Sequence, residues 1–275
     1  MRKPDFIIAG TQKGGTTWLE HNLARHPTVV TPHRQLHYFD RNYSRGLDWY
    51  CSFFSDVPLN FCAGEKTTEY FDPNNVDVSF SKMARDLPNI KVFILLRDPV
   101  QRALSALAHC VYSGVVPLPH DPDQALFADF NLPLGEGQSY IERGFYDQQL
   151  EKVYMYLKPS QVCVLVFEED IIADPFAGWS KACSFLGIKP LVGDQLEVPV
   201  NMLRLSKSAI RAARIFYGLP MVGGIVRRLD KILGLPKWRP SFQSETLKRL
   251  RAIYAPKNEE LFARLGRRIP AWEID

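Results

Sequence analysis

The sequence predicts an α/β protein in which a P-loop-like central parallel β-sheet is flanked by helices. Three short apolar, β-branched runs lie far apart in the chain, at residues 6–9, 92–96 and 162–167. Each run leads into a stretch with helical spacing, and this alternation is typical of a parallel sheet covered by helices. The chain has 275 residues, of which 46% are hydrophobic. That size suits one α/β domain, so we expect a single domain over residues 1–275.

The first predicted strand runs into a glycine-rich loop. Residues 10–15, Gly-Thr-Gln-Lys-Gly-Gly, cannot continue a buried strand, because glycine favours turns and close backbone approach. From Thr16 onward, Trp18, Leu19 and Leu23 have helical spacing. A strand, a glycine loop and a helix start in this order predict an anion site, since the loop amides and the helix dipole point at the same place.

Lys13 adds a positive charge inside this loop, and its position separates the loop from that of nucleoside triphosphatases. The triphosphate-binding pattern G-x-x-x-x-G-K-[ST] places lysine directly after the second glycine. Here Gly10 and Gly15 keep the outer glycines, but Thr16 stands at the lysine position. The loop therefore predicts phosphate binding without the usual lysine-plus-metal arrangement. A plain glycine turn is the alternative, and the hydroxyls and the lysine in the turn favour the anion site.

The second predicted strand ends in a charged tip. Asp98 is a suitable N-cap and Pro99 a suitable first residue for the helix that follows. Arg97 ends a buried strand, where an unpaired guanidinium is costly, so it requires an anion. One interpretation is a phosphate held by Arg97 and by Ser105 from the helix. The other is an ion pair of Arg97 with Asp98 or Asp86.

Two further stretches combine charged, aromatic and base-capable side chains. His37 follows the first helix, and its unperturbed pKa of about 6.5 suits acid–base chemistry, with Asp40 placed to orient it. A purely structural histidine is an equally open interpretation. Lys66 lies in a second polar stretch, where it would either offset charge in a site or form a surface salt bridge with Glu65.

The composition limits the classes of function. The net charge of +4 suits an anionic cofactor or acceptor and is too small to indicate a nucleic-acid partner. The five cysteines are scattered without a C-x-x-C pair, which predicts reduced thiols rather than a zinc site. The acids at 168–170 have no matching ligand cluster, so we expect a solvated loop there. The first strand begins near Met1 and no run is long enough to span a membrane, so we expect a cytoplasmic protein.

Residues 203–239 predict a basic amphipathic helical insertion. Lysines and arginines there face a single acid, Asp230, and apolar residues lie between them. Basic charge beside an apolar face indicates interfacial helices in peripheral contact with a membrane, or a lid over an amphiphilic acceptor. A helical hairpin packed on the domain explains the same pattern. The Pro- and Gly-rich residues 115–137 predict a long irregular loop on the acceptor side.

Together these motifs resemble the sulfotransferase superfamily that uses 3′-phosphoadenosine 5′-phosphosulfate (PAPS). Within it they are similar to the heparan-sulfate-type carbohydrate sulfotransferases and their bacterial relatives. The likeness extends over residues 4–201 and 254–272. Four stretches carry it: residues 10–19 for the 5′-phosphosulfate, 96–105 (with Arg102 and Ser105) for the 3′-phosphate, and 37–40 and 65–67 in the active site.

The resemblance implies the sulfotransferase fold and transfer of the sulfuryl group from PAPS to a hydroxyl of a carbohydrate, lipid or small metabolite. The product nucleotide is 3′-phosphoadenosine 5′-phosphate (PAP), and no metal is implied. Lys13 would stabilise charge on the departing nucleotide, with His37 and Lys66 as the other catalytic residues. The implied nucleotide-binding residues are Lys13, Gly14, Gly15, Thr16, Thr17, Trp18, Arg97, Ser105, Arg204 and Lys207.

The chain departs from the heparan-sulfate type in one catalytic position. A glutamate two residues before the histidine serves as base in that type, and here the position holds Gln35, which cannot take a proton. We therefore expect His37 to be the base, with Lys66 as charge support and Asp40 as the orienting group. Residues 203–239 also do not follow the glycosaminoglycan enzymes, so a polysaccharide acceptor is not implied.

Two other functions stay open at this point. The first is a metal-dependent nucleotide kinase or hydrolase with a P-loop-like fold. Two observations count against it: the displaced Lys13, and the lack of a Mg²⁺-binding acid after a strand. The second is a non-catalytic protein that binds nucleotide or a membrane surface, which Gln35 and the basic segment favour.

Overall fold

The computed structural model describes residues 1–32, 34–133, 135–191, 196, 205–217 and 220–273. The chain divides into two compact units. The first comprises Met1–Pro99, Phe145–Pro199 and Pro256–Asp275, and the second comprises Val100–Gly144 and Val200–Ala255. The expectation of a single domain stays a prediction. No helix among the described residues is both long enough and apolar enough to cross a membrane.

The first unit contains a parallel sheet of five strands in the described chain. The strands are β1 (Phe6–Gly10), β2 (Val29–Val30), β3 (Cys62–Lys66), β4 (Lys91–Leu96) and β5 (Val162–Val166). Their order across the sheet is β2-β3-β1-β4-β5, and every neighbouring pair is parallel. Over both units, the helices of the described residues are α1 (Thr16–Arg25), α2 (Leu47–Ser52), α3 (Val76–Asp86), α4 (Pro99–Tyr112), α5 (Pro122–Phe130), α6 (Tyr146–Tyr156), α7 (Pro175–Leu186), α8 (Lys207–Ile215), α9 (Pro220–Leu233) and α10 (Ser244–Leu265). The predicted α/β class is confirmed.

Both faces of the sheet are buried, which explains why the central strands are continuous apolar runs. Ile7 and Ala9 of β1 point to a core that includes Phe80 of α3 and Leu150 of α6. The alternate residues of β1 point to a second core against α1 and α7. All five residues of β1 are buried.

Two strands are not evident in the sequence. β2 has only two residues, and β3 reads Cys-Ala-Gly-Glu-Lys, which lacks an apolar run. Gly64 is required in β3 because a Cβ atom there would collide with the ring of Phe6. Glu65 is completely buried and hydrogen-bonded. Tertiary packing, rather than strand propensity, therefore places β3 beside β1.

The second unit contains a helix inside the stretch predicted to be an irregular loop. α5 begins after Asp121, whose carboxylate accepts hydrogen bonds from the amides of Asp123 (2.8 Å) and Gln124 (3.2 Å). Pro122 occupies the first helical position. An uninterrupted loop over 115–137 is therefore wrong, and the Asp-Pro pair was the N-terminal signal.

Two helices account for most of the described part of the basic segment 203–239, whereas residues 205–206 and 234–239 are not helical and Ser206 pairs with Lys237 in an antiparallel bridge. α8 and α9 lie in it, whereas residues 203–204 and 218–219 are outside the described residues. Asp230 of α9 is buried and accepts hydrogen bonds from the hydroxyl of Ser206 and from Nζ of Lys237, the latter at 2.7 Å. The one acid of the segment is therefore hydrogen-bonded to other residues of the second unit.

Candidate active site

The loop between β1 and α1 is held by backbone hydrogen bonds and leads into a helix start without a side-chain cap from the described residues. The amide of Thr11 donates to the carbonyl of Leu95 (3.0 Å), and the amide of Gly14 donates to the carbonyl of Thr11 (2.9 Å). α1 then begins at Thr16, and among the described residues no side chain caps its start. In its first turn the amide of Trp18 donates to the carbonyl of Gly15 at 2.9 Å. The first amides of a helix generally lack partners within the helix, and the dipole gives that end a positive potential.

Close packing explains the glycines of the loop. A Cβ atom on Gly14 would collide with the carbonyl oxygen of Leu95 in β4. Gly15 has a φ of +100°, and a Cβ atom there would lie 2.7 Å from side-chain atoms of Phe167 and Ile171. Lys13 also has positive φ, 69°, a conformation that a non-glycine residue keeps only when its surroundings impose it. The loop therefore presents Lys13 from a backbone fixed by β4 and by the segment after β5.

Arg97 contacts the β1–α1 loop. Its Nη1 donates to the carbonyl oxygen of Lys13 at 3.4 Å, and its guanidinium lies over the ring of Phe167 at 4.8 Å. The hydroxyl of Tyr146 donates to the carbonyl of Arg97 (2.9 Å). β1 and β4 are neighbours whose connections lead to opposite edges of the sheet, and ligands of such sheets bind at this switch point.

The imidazole of His37 is hydrogen-bonded to a buried carboxylate. Its Nδ1 lies 2.9 Å from Oδ2 of Asp40, whose side chain is 1% exposed. A proton on Nδ1 donated to Asp40 leaves Nε2 as the basic nitrogen. This hydrogen bond raises the pKa of His37 above 6.5, against the effect of burial; the charges of Asp40 and Glu69 add to the rise, and Arg41 opposes it.

Positive φ marks both Lys13 and His37. Three non-glycine residues of the described chain have this conformation, and the third is Ser139. His37 has a φ of 50°. Because strained backbone concentrates at functional sites, two of the three predicted catalytic residues, Lys13 and His37, share a second signal.

Lys66 and Glu65 do not form the surface salt bridge considered from the sequence. Adjacent strand residues point to opposite faces: Glu65 is buried, whereas Nζ of Lys66 pairs with Glu20 of α1. Lys66 lies beside Ile8 of β1, close to where the loop begins. Glu20 was not identified from the sequence, because the pair joins residues 46 positions apart.

Gln35 has a structural contact. Its side-chain oxygen accepts a hydrogen bond from the amide of Thr68 at 3.1 Å. The position that holds the base in the heparan-sulfate type therefore connects the stretch that follows β3 to the stretch that contains His37.

The other predicted site residues are not assembled at this corner by the described contacts. Ser105 and Lys207 belong to the second unit, and Arg204 lies outside the described residues. Trp18 is 3% exposed and packs in the core between the sheet and α1. Arg102, in the second unit, is buried and donates to the carbonyl of Tyr140. The ligand contacts of these residues stay predictions.

The three acids after β5 do not form a solvated loop. Residues 167–173 form a π-helical segment, in which Glu168 accepts hydrogen bonds from the amide of Asp98 (3.1 Å) and from the indole of Trp272 (2.8 Å). Asp170 accepts one from the amide of Val166 (2.6 Å). Within the described chain, no three His, Cys, Asp or Glu side chains cluster as metal ligands do.

A cavity of about 740 Å³ lies away from this corner. Its lining includes Asp5, Cys62 and Lys91, at the beginnings of the strands, and none of the predicted site residues. Because ligands of parallel sheets bind at the opposite ends of the strands, we assign it no role in the chemistry.

The titration of two buried groups predicts how stability depends on pH. Burial raises the pKa of Glu65 from 4.5 to about 7, and the pKa of His37 is also raised. The folded state therefore binds protons more tightly than the unfolded state, so the free energy of unfolding should fall as pH rises from about 5 to above 7. The Glu65 contribution is on the order of 3 kcal/mol, the equivalent of the pKa difference between 4.5 and about 7.

Urea unfolding at a series of pH values checks this prediction. The variant Glu65→Gln should have a shallower decline between pH 5 and 7 than the unsubstituted protein. Identical slopes for the two proteins would show that Glu65 does not titrate in this range.

Comparison with known proteins adds independent information. Residues 3–262 match the model of the sulfotransferase domain family. Mouse heparan sulfate glucosamine 3-O-sulfotransferase 6 is 30% identical over 268 residues, which cover 96% of this chain and 72% of that protein. Human heparan sulfate glucosamine 3-O-sulfotransferase 3B1 is 28% identical over 271 residues, with 96% and 63% covered. The chain thus spans less than two thirds of the length of the human protein.

Solved structures show the same fold. A sulfotransferase from Alicyclobacillus acidocaldarius has a TM-score of 0.70 and 23% identity, with all of both chains covered. Mouse sulfotransferase SULT7A1 complexed with PAP has a TM-score of 0.52 and 13% identity, with 93% of this chain and 84% of that chain covered.

Proposed function

This chain belongs to the sulfotransferase domain family, and from that premise we propose that it transfers the sulfuryl group of PAPS to a hydroxyl of a carbohydrate, lipid or small-metabolite acceptor. The observation that supports the proposal most is the contact of Arg97 with the backbone of Lys13 at the amino end of α1. Two cationic side chains and a helix N-terminus at one corner suit a phosphorylated nucleotide.

The donor is held by the loop. The resemblance implies that the amides from Gly14 to Thr17 and the hydroxyls of Thr16 and Thr17 bind the 5′-phosphosulfate, with Trp18 supporting this helix start. The amide of Gly14 instead donates to the carbonyl of Thr11 at 2.9 Å, so we assign the backbone contacts to the amides of Gly15, Thr16 and Thr17. Arg97 and Ser105 bind the 3′-phosphate. Because these two residues belong to different units, their pairing rests on the resemblance, as do the phosphate contacts assigned to Arg204 and Lys207.

The transfer step is a displacement at sulfur. The acceptor oxygen forms a bond to sulfur while the bond between sulfur and the bridging phosphate oxygen breaks, and its electron pair stays on PAP. The acceptor proton passes to Nε2 of His37, because Asp40 holds the proton on Nδ1. Lys13 and Lys66 offset the negative charge that develops in the transition state, a role that preorganised cations fill without a metal.

The proposed acceptor is a hydroxyl-bearing sugar, lipid or small metabolite. The similar proteins of mouse and human are named for glucosamine 3-O-sulfation of heparan sulfate, which supports a sugar hydroxyl. The basic apolar segment 203–239 favours a lipid or another amphiphilic acceptor. The test is transfer from radiolabelled PAPS to a panel of sugars, lipids and small alcohols, with a labelled product expected for one class.

The transfer assay, together with measurements of PAP binding and of ATP turnover, separates the sulfotransferase from the two alternative functions. Binding of PAP without transfer to any acceptor would indicate a non-catalytic nucleotide-binding protein, which the engaged side chain of Gln35 favours. Turnover of ATP with Mg²⁺ in place of PAPS would indicate a kinase-like enzyme.

We also propose that residues 203–239 contact a membrane surface. On α9, four apolar residues spaced along one face are 51–71% exposed: Ile225, Leu229, Ile232 and Leu233. Arg227, Arg228 and Lys231 lie between them and are exposed. The acid Asp230 is engaged by Ser206 and Lys237. An apolar face with basic flanks and a neutralised acid suits an anionic lipid surface.

Vesicle flotation tests this contact. We expect binding to vesicles that contain phosphatidylserine and little binding to pure phosphatidylcholine. Two substitutions on the apolar face, Leu229→Ser with Ile232→Ser, should weaken binding about tenfold or more, since each buried Leu or Ile contributes roughly 1.5–3 kcal/mol. The matched control is Leu59→Ser, an exposed leucine elsewhere. Equal loss in the control, or no binding to anionic vesicles, would contradict the proposal.

A further inference from the structure

We propose that Glu65 is a positioning residue for the transfer reaction, because it holds the backbone of residues 36–38 and thereby the imidazole of His37. The inference rests on the proposed function, in which His37 is the base. Glu65 does not itself touch the reacting atoms, and it acts through hydroxyl groups that connect β3 to the histidine stretch.

The carboxylate of Glu65 is surrounded by hydrogen-bond donors in the described chain. It is completely buried. Its Oε2 accepts from the hydroxyl of Thr67 (2.7 Å), and its Oε1 accepts from the hydroxyls of Tyr70 (2.9 Å) and Tyr50 (3.3 Å). The amide of Leu36 also donates to it. A buried carboxylate is tolerated only with such partners. The donors favour its ionised form, while burial opposes ionisation and raises its pKa to about 7, so this arrangement is that of the ionised group above this pH.

Two of these hydroxyls continue to the backbone beside His37. Oγ1 of Thr67 accepts from the amide of His37 (3.3 Å), and the hydroxyl of Tyr70 accepts from the amide of Tyr38 (2.8 Å). Each hydroxyl has one proton, which it donates in a hydrogen bond to Glu65. The lone pairs of the hydroxyl oxygen are therefore available to accept from the amides. Three consecutive amides are therefore connected to Glu65. The amide of Leu36 bonds to it directly, and the amides of His37 and Tyr38 are connected to it through the hydroxyls of Thr67 and Tyr70.

This anchoring explains how His37 keeps its backbone conformation. A φ of 50° is unfavourable for histidine, so the surrounding hydrogen bonds must hold it. The same backbone sets the direction of the imidazole toward Asp40. Release of one amide would let the stretch relax and move Nε2, and a displacement of about 1 Å at a reacting group lowers the rate by roughly a hundredfold.

Nuclear magnetic resonance of His37 tests the inference independently of activity. Glu65→Gln removes one hydrogen-bond acceptor and introduces a donor at the same volume. The pKa of His37 should fall toward 6.5 in this variant, because the hydrogen bond to Asp40 is disturbed. A His37 pKa equal to that of the unsubstituted protein would overturn the inference, whether or not an acceptor has been found.

Kinetics then separates positioning from general stability. In Glu65→Gln we expect kcat to fall about ten- to a hundredfold with the affinity for PAP unchanged. In the His37→Ala background the same substitution should cause no further loss, because its effect passes through His37. A further loss of equal size would overturn the inference. Absence of transfer by the unsubstituted protein would instead contradict the proposed function.

A second pair of variants covers the case in which Glu65→Gln does not fold. Thr67→Val removes the bridging hydroxyl at nearly constant volume, whereas Thr67→Ser retains it. We expect the valine variant to lower the His37 pKa and kcat, and the serine variant to restore both. Equal values in the two variants would show that the hydroxyl bridge does not position His37.

Discussion

Replacing Lys13 with methionine is expected to lower kcat by about 10²- to 10³-fold, the size of the effect when one preorganised donor to a developing charge is removed. Methionine keeps the length of the side chain and removes the charge. Lys13 projects from a loop whose backbone contacts Leu95 of β4 and Arg97, the residue after β4, so the substitution should leave the loop in place. Loss of the Lys13 charge should raise the free energy of the transition state, in which negative charge builds on the departing nucleotide.

Steady-state kinetics with PAPS checks this prediction. The matched control is Lys248→Met, since Lys248 is exposed on α10 and should be dispensable. The variant should unfold at the same urea concentration as the unsubstituted protein. A kcat within a few-fold of the unsubstituted value would remove Lys13 from the catalytic residues.

Replacing His37 with alanine is expected to lower kcat by about 10²- to 10⁴-fold, the range for loss of a positioned general base. The affinity for PAP should remain, because the amide of His37 is bonded to Thr67, the residue after β3, and His37 is not part of the β1–α1 loop that we propose to bind phosphate. His37 must be neutral to accept a proton, so activity should rise as pH rises through its elevated pKa. That acid limb should disappear in the variant.

Gln35 allows the identity of the base to be tested a second way. Adding Gln35→Glu to His37→Ala places a carboxylate where the heparan-sulfate type has its base, and we expect part of the lost turnover to return. Turnover by His37→Ala alone at the unsubstituted rate would assign the proton to another group.

The fold was predictable where one element carried its own signal. β1, β4 and β5 are apolar because both faces of the sheet are buried, and continuous runs of that kind are visible in a single sequence. β3 was missed because Gly64 and Glu65 fit only against Phe6 and a set of hydroxyl groups. Its position depends on partners that no local pattern reveals.

In the site, too, some features follow from a local sequence pattern and others depend on residues far apart in the chain. Lys13 and the glycines follow from the spacing of one loop, and Asp40 follows from its closeness to His37 in sequence. The pairing of Lys66 with Glu20 and the support of Arg97 by Tyr146 join residues far apart in the chain. Glu65 was considered as half of a surface ion pair, because its burial becomes visible only when β3 is placed beside β1.

Calorimetric titration with PAP and with ATP–Mg²⁺ tests most directly whether the corner formed by Lys13 and Arg97 binds the nucleotide of a sulfotransferase. We predict that PAP binds without added metal and more tightly than ATP–Mg²⁺, and that Arg97→Ala weakens PAP binding about tenfold or more, as loss of a charge-assisted contact of roughly 1.5–3 kcal/mol requires. Tighter binding of ATP–Mg²⁺ than of PAP, or PAP binding unaffected by Arg97→Ala, would contradict the account.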